Sequence, residues 1–375
     1  MDKKHVLIFI PAIESGGVEK NAIIVANGLA EGGYPVTILY CRAMEQQLKK
    51  FDERVRLQAF PRKQIPHINP RLTDAYFMQK HLKEYLSTVD AKAAVLIAFQ
   101  SASVAIGVCK RMGIRVICRL SNHPSAICYE KSMLRNLSEK LKLFTYKKAD
   151  VIVANSKKLA EDFGAKVGRS VETIYNPIDI GSIQERRKEP VEQKLLQEAD
   201  RYKGRLLVAV GRLTAQKDYD TLLQGFSRSK HRDTMLWIIG EGARRPQIEQ
   251  LAKTLGIEER VRLLGYQSNV YKYLQYATIY VLTSLYEGCP NSLIEAVAAG
   301  IPCIASDCLT GPGEVLLNGE GGLLFPVGDA DKLAECMDCF LDEPEYRSKL
   351  QEKAKENSNR FELEKTLDRY KQIIG

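Results

Sequence analysis

No apolar run in this chain approaches the roughly 18–20 residues that a bilayer-spanning helix requires, so an integral membrane protein is not expected. The chain starts Met1-Asp2-Lys3-Lys4-His5 and passes straight into a strand-like stretch, without the small-residue cleavage site of a secretory leader. Low-complexity tracts and short-period repeats are missing, and so is the dinucleotide fingerprint G-x-G-x-x-G. The single C-x-x-C pair, Cys336 and Cys339, has no second pair and falls in a helix-like segment, which argues against zinc or redox chemistry there. No basic motif is interleaved with aromatics in the manner of a nucleic-acid-binding module.

What is present is an ordinary globular composition, 45% hydrophobic and 27% charged over 375 residues, enough for two or three domains. Nine cysteines are an odd number, and Cys109, Cys118 and Cys303 lie in apolar runs like core thiols. A reducing, cytoplasmic compartment is the expectation. The net charge of +9 is unevenly placed. Residues 1–180 carry 28 Lys and Arg against 17 Asp and Glu, whereas residues 181–375 carry 27 against 29. A basic first half could face nucleic acid, anionic lipid or phosphorylated small molecules.

Strand and helix signals alternate along the first half. Strands are expected at Val6–Ile10, Val36–Tyr40, Ala94–Phe99, Arg115–Cys118 and Val151–Ala154, with helices between them. The pattern restarts at Arg205–Val210 and continues through Met235–Ile239, Arg262–Leu264, Ile279–Leu282 and Pro302–Ala305. The fold class is therefore α/β, with two Rossmann-like, doubly wound domains. Their expected limits are 1–180 and 181–357, with a final helical segment over 358–375. Ligands of such sheets bind at the carboxyl ends of the strands, and two facing domains would hold one in the cleft between them.

Three strand-end segments could carry chemistry. Ser15-Gly16-Gly17-Val18-Glu19-Lys20 joins strand one to helix one, where glycines let backbone approach an anion at a helix N-terminus. Gly211-Arg212-Leu213-Thr214-Ala215-Gln216-Lys217-Asp218 follows the first strand of the second domain, and Arg212 and Lys217 could both reach a diphosphate. The most specific segment is Glu287-Gly288-Cys289-Pro290-Asn291-Ser292-Leu293-Ile294-Glu295. Glu287 follows a strand, Asn291 or Ser292 can cap the next helix, and Glu295 can accept from the two hydroxyls of a ribose. Ser292 and Glu295 also fit the S-x-x-E capping box, which would leave Glu295 closing its own helix.

These segments, together with Asn176-Pro177-Ile178-Asp179, Ile239-Gly240-Glu241-Gly242, Leu264-Gly265-Tyr266 and Gly322-Leu323-Leu324-Phe325, resemble the retaining GT-B glycosyltransferases of family 4 over nearly the whole chain. The resemblance implies an acceptor-binding first domain, a nucleotide-sugar-binding second domain, and a final helix that crosses back onto the first. It makes Glu295 the ribose ligand and Glu287 a contact to the donor sugar. Arg212 and Lys217 would hold the diphosphate, and the backbone near Tyr266 and Gln267 the base. Gly16, Gly17, Gly240, Gly288, Asn291, Ser292 and Leu293 complete the implied donor set.

Ser306-Asp307-Cys308-Leu309-Thr310-Gly311-Pro312-Gly313-Glu314 and Arg119-Leu120-Ser121-Asn122 are similar to a subgroup that builds bacterial surface glycans on lipid carriers. There a His often precedes the Asn, whereas here Ser121 precedes Asn122 and His123 follows it. His123 would stand in at the catalytic position, and Asn122 and His123 would lie on the acceptor side.

The activity implied is retaining transfer of a sugar from a nucleotide-diphosphate donor, UDP-sugar favoured over GDP-mannose, to a glycan acceptor. Fixed cations and helix N–H groups would meet the charge that builds on the leaving diphosphate, so neither cofactor nor metal is expected. Asp218-Tyr219-Asp220 matches a metal-binding D-x-D string, but its place at a helix start reads as N-terminal helix acids. Residues 131–148 hold six basic residues and one acid beside Met133, Leu134, Leu137, Leu141 and Phe144. This is either a helix for the anionic inner face of the cytoplasmic membrane or a core-facing helix of the first domain. The competing functions are a nucleotide-sugar epimerase or hydrolase on the same fold, which would release free sugar without acceptor, and a basic nucleic-acid-binding module, which would bind no UDP.

Overall fold

A computed structural model describes residues 3–14, 16–61, 70–122, 143–202 and 205–375. Its contacts divide the chain into two compact units, residues 1–177 with 363–375, and residues 178–362. These limits differ from the expected 180 and 357. Ile178 donates its N–H to the Phe361 carbonyl (2.8 Å) and bridges Glu362, which draws both segments into the second unit.

The strands of unit 1 are β1 (His5–Phe9), β2 (Ala12–Ile13), β3 (Val36–Tyr40), β4 (Arg42–Ala43), β5 (Val55–Ala59), β6 (Ala94–Ala98), β7 (Arg115–Leu120), β8 (Val151–Ala154) and β9 (Glu172–Thr173). Seven of them form one parallel sheet in the order β5-β3-β1-β6-β7-β8-β9, and β2 pairs with β4 alone. In the central β1, Val6, Leu7, Ile8 and Phe9 are all fully buried. Side chains alternate across a strand. Accordingly Leu7 and Phe9 join one core layer with Leu96, Val116 and Ile152, while Val6 and Ile8 join the other with Val95, Ile97 and Ile117. Burial on both faces explains why these strands read as unbroken apolar runs.

The second layer also receives the helix Leu363–Ile374. Leu367 fills the space where a side chain at Gly28 would stand, against the helix Gly17–Glu31. Arg119, at the end of β7, is buried and ties three segments together. It donates to the Tyr370 hydroxyl (2.9 Å), to the Ser121 hydroxyl (2.8 Å) and to the Asn176 side-chain oxygen, with its guanidinium over the Phe99 ring.

Unit 2 contains β10 (Leu206–Val210), β11 (Met235–Ile239), β12 (Val261–Gly265), β13 (Ile279–Leu282), β14 (Cys303–Ser306) and β15 (Leu323–Phe325). Their order, β12-β11-β10-β13-β14-β15, is the 3-2-1-4-5-6 of a doubly wound sheet. Leu207, Ala209, Leu236, Ile238 and Val281 pack on one face with Leu222 and Phe226 of the helix Tyr219–Arg228 and with Leu333, Met337 and Phe340 of the helix Ala330–Asp342.

Strands β5, β9 and β15 were not among those expected. β5 is an edge strand with Arg56, Leu57 and Ala59 exposed, so it lacks the apolar run of a central strand, and β9 and β15 are only two and three residues long. Among the described residues no helix is long and apolar enough to cross a membrane.

Candidate functional site

In a doubly wound sheet the strand order reverses beside the first strand, and the loops at that point diverge to leave a crevice. In unit 2 the reversal lies between β10 and β13, which puts the Gly211–Asp218 and Thr283–Pro290 segments at the carboxyl ends of neighbouring strands. Several hydrogen bonds lock the two together. Thr283 donates its hydroxyl to the Lys217 carbonyl (2.8 Å), Leu285 its N–H to the Gln216 carbonyl (2.8 Å), and Gln216 its amide to the Tyr286 carbonyl (2.9 Å).

Across this junction Lys217 Nζ meets Glu287 Oε1 at 2.6 Å, with side-chain exposures of only 16% and 8%. The buried Ser284 hydroxyl donates to the same oxygen (2.8 Å), and the Thr310 hydroxyl donates to the Glu287 carbonyl. With Oε1 doubly engaged, Oε2 has no partner among the described residues. The Glu287 carboxylate is thus held by one oxygen and presents the other. The exposed Arg212 side chain makes no hydrogen bond or ion pair among the described residues, so a second cation stands uncommitted on the same loop.

Gly240, at the end of β11, has φ +148°, and a Cβ there would lie 1.9 Å from the Gly211 carbonyl oxygen. Glycine is what lets the two loops interlock. Gly211 donates to Ile239, Leu213 to Glu241, and Gly240 to the Gly265 carbonyl (2.8–3.0 Å). The loop after β12 is thereby joined to the same edge. On it Tyr266 is half exposed and Gln267 donates its amide to the Leu264 carbonyl (2.8 Å).

The helix Asn291–Ala298 begins directly after the Glu287 loop. Its N-cap is Pro290, and no side chain caps it, contrary to the expectation for Asn291 or Ser292. Ser292 lies at the second helical position and pairs its hydroxyl with that of Tyr280 (2.7 Å), so Ser292 and Glu295 are not a capping box. Leu293 turns its side chain into the core and gives its N–H to the Pro290 carbonyl (3.1 Å). Glu295 is 4% exposed. Gly288 lies against Gly311, where a Cβ would come within 2.7 Å of the Gly288 carbonyl oxygen.

Both acids of the D-x-D string are engaged in the fold. Asp218 caps the helix Tyr219–Arg228, accepting from the Thr221 N–H (3.4 Å) and hydroxyl (2.6 Å), and Asp220 pairs with Arg244 (2.8 Å). Burial, with the Glu287 charge adding to it, pushes the Tyr219 phenol up. It therefore stays protonated and donates to the Gly211 carbonyl (2.9 Å). The same two causes push the Cys308 thiol up to about 12, which leaves it neutral beside the ion pair.

In unit 1, Gly16 is the N-cap and Gly17 the first residue of the helix Gly17–Glu31. The Glu19 carboxylate curls back over that helix start, so that a Cβ on Gly16 would lie 2.3 Å from Oε2. Gln100, following β6, donates its amide to Glu19 (2.9 Å). Asn122 is exposed just beyond β7. His123, Ser15 and residues 131–142 of the basic segment lie outside the described residues. Of that segment's described part, Leu143 and Tyr146 pack on the core whereas Phe144 stands 60% exposed. Cys336 is buried on its helix, and among the described residues no three His, Cys, Asp or Glu side chains gather to hold a metal.

Sequence reasoning assigned Lys217 and Glu287 to the site but missed the hydroxyls that orient Glu287. Ser284 stands in the polar pair directly after β13, and a polar residue ending a buried strand is the signal that could have marked it; Thr310, beyond Cys308 and Leu309, carries no such signal.

Two doubly wound units in one chain are the architecture that GT-B glycosyltransferases share. Anabaena HepE in complex with UDP shares this fold at a TM-score of 0.80, with 16% identity and 99% of both chains covered. Residues 15–182 match the model described as Glycosyltransferase Family 4, and residues 192–357 the model described as Glycosyl transferases group 1. The N-acetylgalactosamine-N,N'-diacetylbacillosaminyl-diphospho-undecaprenol 4-alpha-N-acetylgalactosaminyltransferase of Campylobacter jejuni is 30% identical over 255 residues, 67% of each protein. The lipopolysaccharide 1,6-galactosyltransferase of Salmonella typhimurium is 32% identical over 191 residues, 49% of this chain and 50% of that one. The chain belongs to glycosyltransferase family 4, and it is a glycosyltransferase.

Proposed function

We propose that this enzyme moves a sugar, with retention, from a UDP-sugar to a lipid-linked glycan acceptor during assembly of a bacterial surface glycan. The single observation that carries the reading is the pairing of Lys217 with Glu287 beside the uncommitted Arg212 at the strand-order reversal of unit 2. Arg212 and Lys217 bind the diphosphate, and together with the N–H groups that open the helix Asn291–Ala298 they stabilise the charge that develops as the sugar C1–O bond breaks. The Glu287 oxygen left unpartnered accepts from the sugar's hydroxyls, and Glu295 accepts from the ribose diol. The base lies near Tyr266 and Gln267. On unit 1 the same reading assigns Gly16, Gly17, Asn122 and His123 to substrate contacts.

Retention follows if the leaving phosphate itself takes the acceptor's proton, which requires no protein base and no metal. The names of the relatives from Campylobacter and Salmonella, and the UDP bound to HepE, support a nucleotide-sugar donor and a lipid-borne glycan acceptor. We place the enzyme in the cytoplasm, with its basic first unit on the inner membrane surface.

The test is thermal stabilisation across UDP, GDP, ADP and CMP, with and without EDTA. At about 100 times its dissociation constant a ligand adds about 2.7 kcal/mol. A shift selective for UDP and insensitive to EDTA is expected, and no shift with any nucleotide would overturn the donor assignment. Formation of free sugar at the full turnover rate without acceptor would replace transfer by hydrolysis or epimerisation. The anomeric configuration of the product, read by NMR, tests retention.

A further inference from the structure

A depression lies on unit 1 beside the helix that follows β6. Its volume is about 480 Å³, half open to solvent, and its polar lining comprises Gln79, Ser103, Lys110, Arg111, Thr145 and Lys148. Lys110 is paired with Asp150 (2.5 Å). Arg111 and Lys148 have no carboxylate partner among the described residues, so the cavity is bordered by more positive charge than the fold neutralises.

Two independent features indicate what occupies it. The first is Gly107, which lines the cavity from the middle of the helix Ala102–Met112. Glycine inside a helix costs about 0.5–1 kcal/mol relative to alanine, and it is usually retained where something approaches closely. Here nothing lies within 4 Å of where a Cβ would stand, so no contact within the fold requires it. What the missing side chain leaves is the cavity. The second is aromatic exposure. Tyr76 and Phe144 are 62% and 60% exposed, the highest values among the large hydrophobic residues described. Tyr76 stands one turn before Gln79 on the helix Pro70–Leu86, and Phe144 adjoins Thr145 with the Lys148 ammonium 4.7 Å from its ring centre. Aromatic side chains flanking cations suit a bilayer surface, where rings enter the headgroup layer and cations meet phosphate.

We propose that this cavity is a binding site for the phosphodiester headgroup of an anionic lipid, with Arg111 and Lys148 on the phosphate and Tyr76 and Phe144 in the surrounding headgroup layer. The proposal rests on the membrane-surface reading given above and names the site through which it acts. It makes the docking of unit 1 depend on one cavity and not on net charge alone.

Co-sedimentation with vesicles rich in phosphatidylglycerol, against vesicles of phosphatidylcholine alone, is the test. The unaltered protein is expected on the anionic vesicles only. Arg111→Gln with Lys148→Gln should weaken that binding about 25-fold, since each basic residue near the surface contributes about fivefold. Gly107→Leu should weaken it comparably by filling the cavity, with every charge retained and a melting temperature equal or higher. Lys92→Gln, an exposed cation before β6, should stay within about twofold of the unaltered protein. If the protein binds anionic vesicles and the Gly107 and double variants bind equally well, the site is refuted while the membrane reading stands. Binding to neither vesicle refutes both. A melting shift with inorganic phosphate that Gly107→Leu abolishes, without vesicle binding, would identify a soluble phosphate as the occupant and overturn the lipid assignment.

Discussion

The two units build the same reversal of strand order and finish it with opposite charge. In unit 2 the loop after the first strand carries Arg212 and Lys217, and the neighbouring loop supplies Glu287 as a partner to Lys217. In unit 1 the helix after the first strand begins under its own acid, Glu19, fixed by Gln100 from the neighbouring loop. The loops after the first and second main strands of each sheet are also joined differently. Unit 1 uses the short parallel pairing of β2 with β4, while unit 2 uses the close approach of Gly240 to Gly211. A shared topology therefore supplies two crevices, and the side chains at the strand ends decide which one carries cations.

The sharpest way to break that contrast is to remove the acid of unit 2. Glu287→Ala should lower kcat by about 10²–10³-fold, as expected for loss of a group that acts on the transition state, while the donor dissociation constant changes much less. Retention of full turnover would end the assignment of this crevice as the active site. Gly240→Ala attacks the joint itself. A Cβ 1.9 Å from a carbonyl oxygen must displace backbone, so a loss of about 3 kcal/mol and a melting temperature lower by about 6–12 °C are expected. An unchanged melting curve would show that the two loops are not locked.

Glu295→Ala should weaken UDP binding by about 10–100-fold, the worth of hydrogen bonds to a charged acceptor, and isothermal titration would read it directly. Equal affinity would return Glu295 to a structural role. The smallest effect is expected on the other side of the comparison. Glu19→Gln keeps the hydrogen-bonding shape and removes the charge at a helix start, so stability should fall by about 1 kcal/mol or less. The UDP dissociation constant should stay within about threefold. A tenfold tightening would mean that the acid of unit 1 had been repelling the donor.

Much of the architecture could be read in advance because central parallel strands are buried on both faces. Val6–Ile10, Ala94–Phe99 and Met235–Ile239 therefore appear as apolar runs with little else they could form. β5 could not be read so easily, since an edge strand has one open side and accepts Arg56 and Leu57 at exposed positions. Local pattern also misled at the helix Asn291–Ala298. Ser292 and Glu295 have the spacing of a capping box, but Pro290 takes the cap position and Tyr280, from β13, takes the Ser292 hydroxyl.

The residue types of the site, the acid–cation–glycine spacing and the alternation that makes two doubly wound sheets were determined by the sequence itself. Periodicity and turn chemistry act over a few residues, and a single chain displays them without folding. Only the tertiary structure decided that Lys217, seventy positions before Glu287, shares one oxygen of that carboxylate with Ser284, and that Thr310 holds the Glu287 backbone. It alone decided that Arg119 ties Asn176 to Tyr370, and that Glu19 covers the helix start it shares with Gly16. Those contacts depend on which strands become neighbours and where their ends meet, which the packing of the whole sheet fixes and no local stretch of sequence contains.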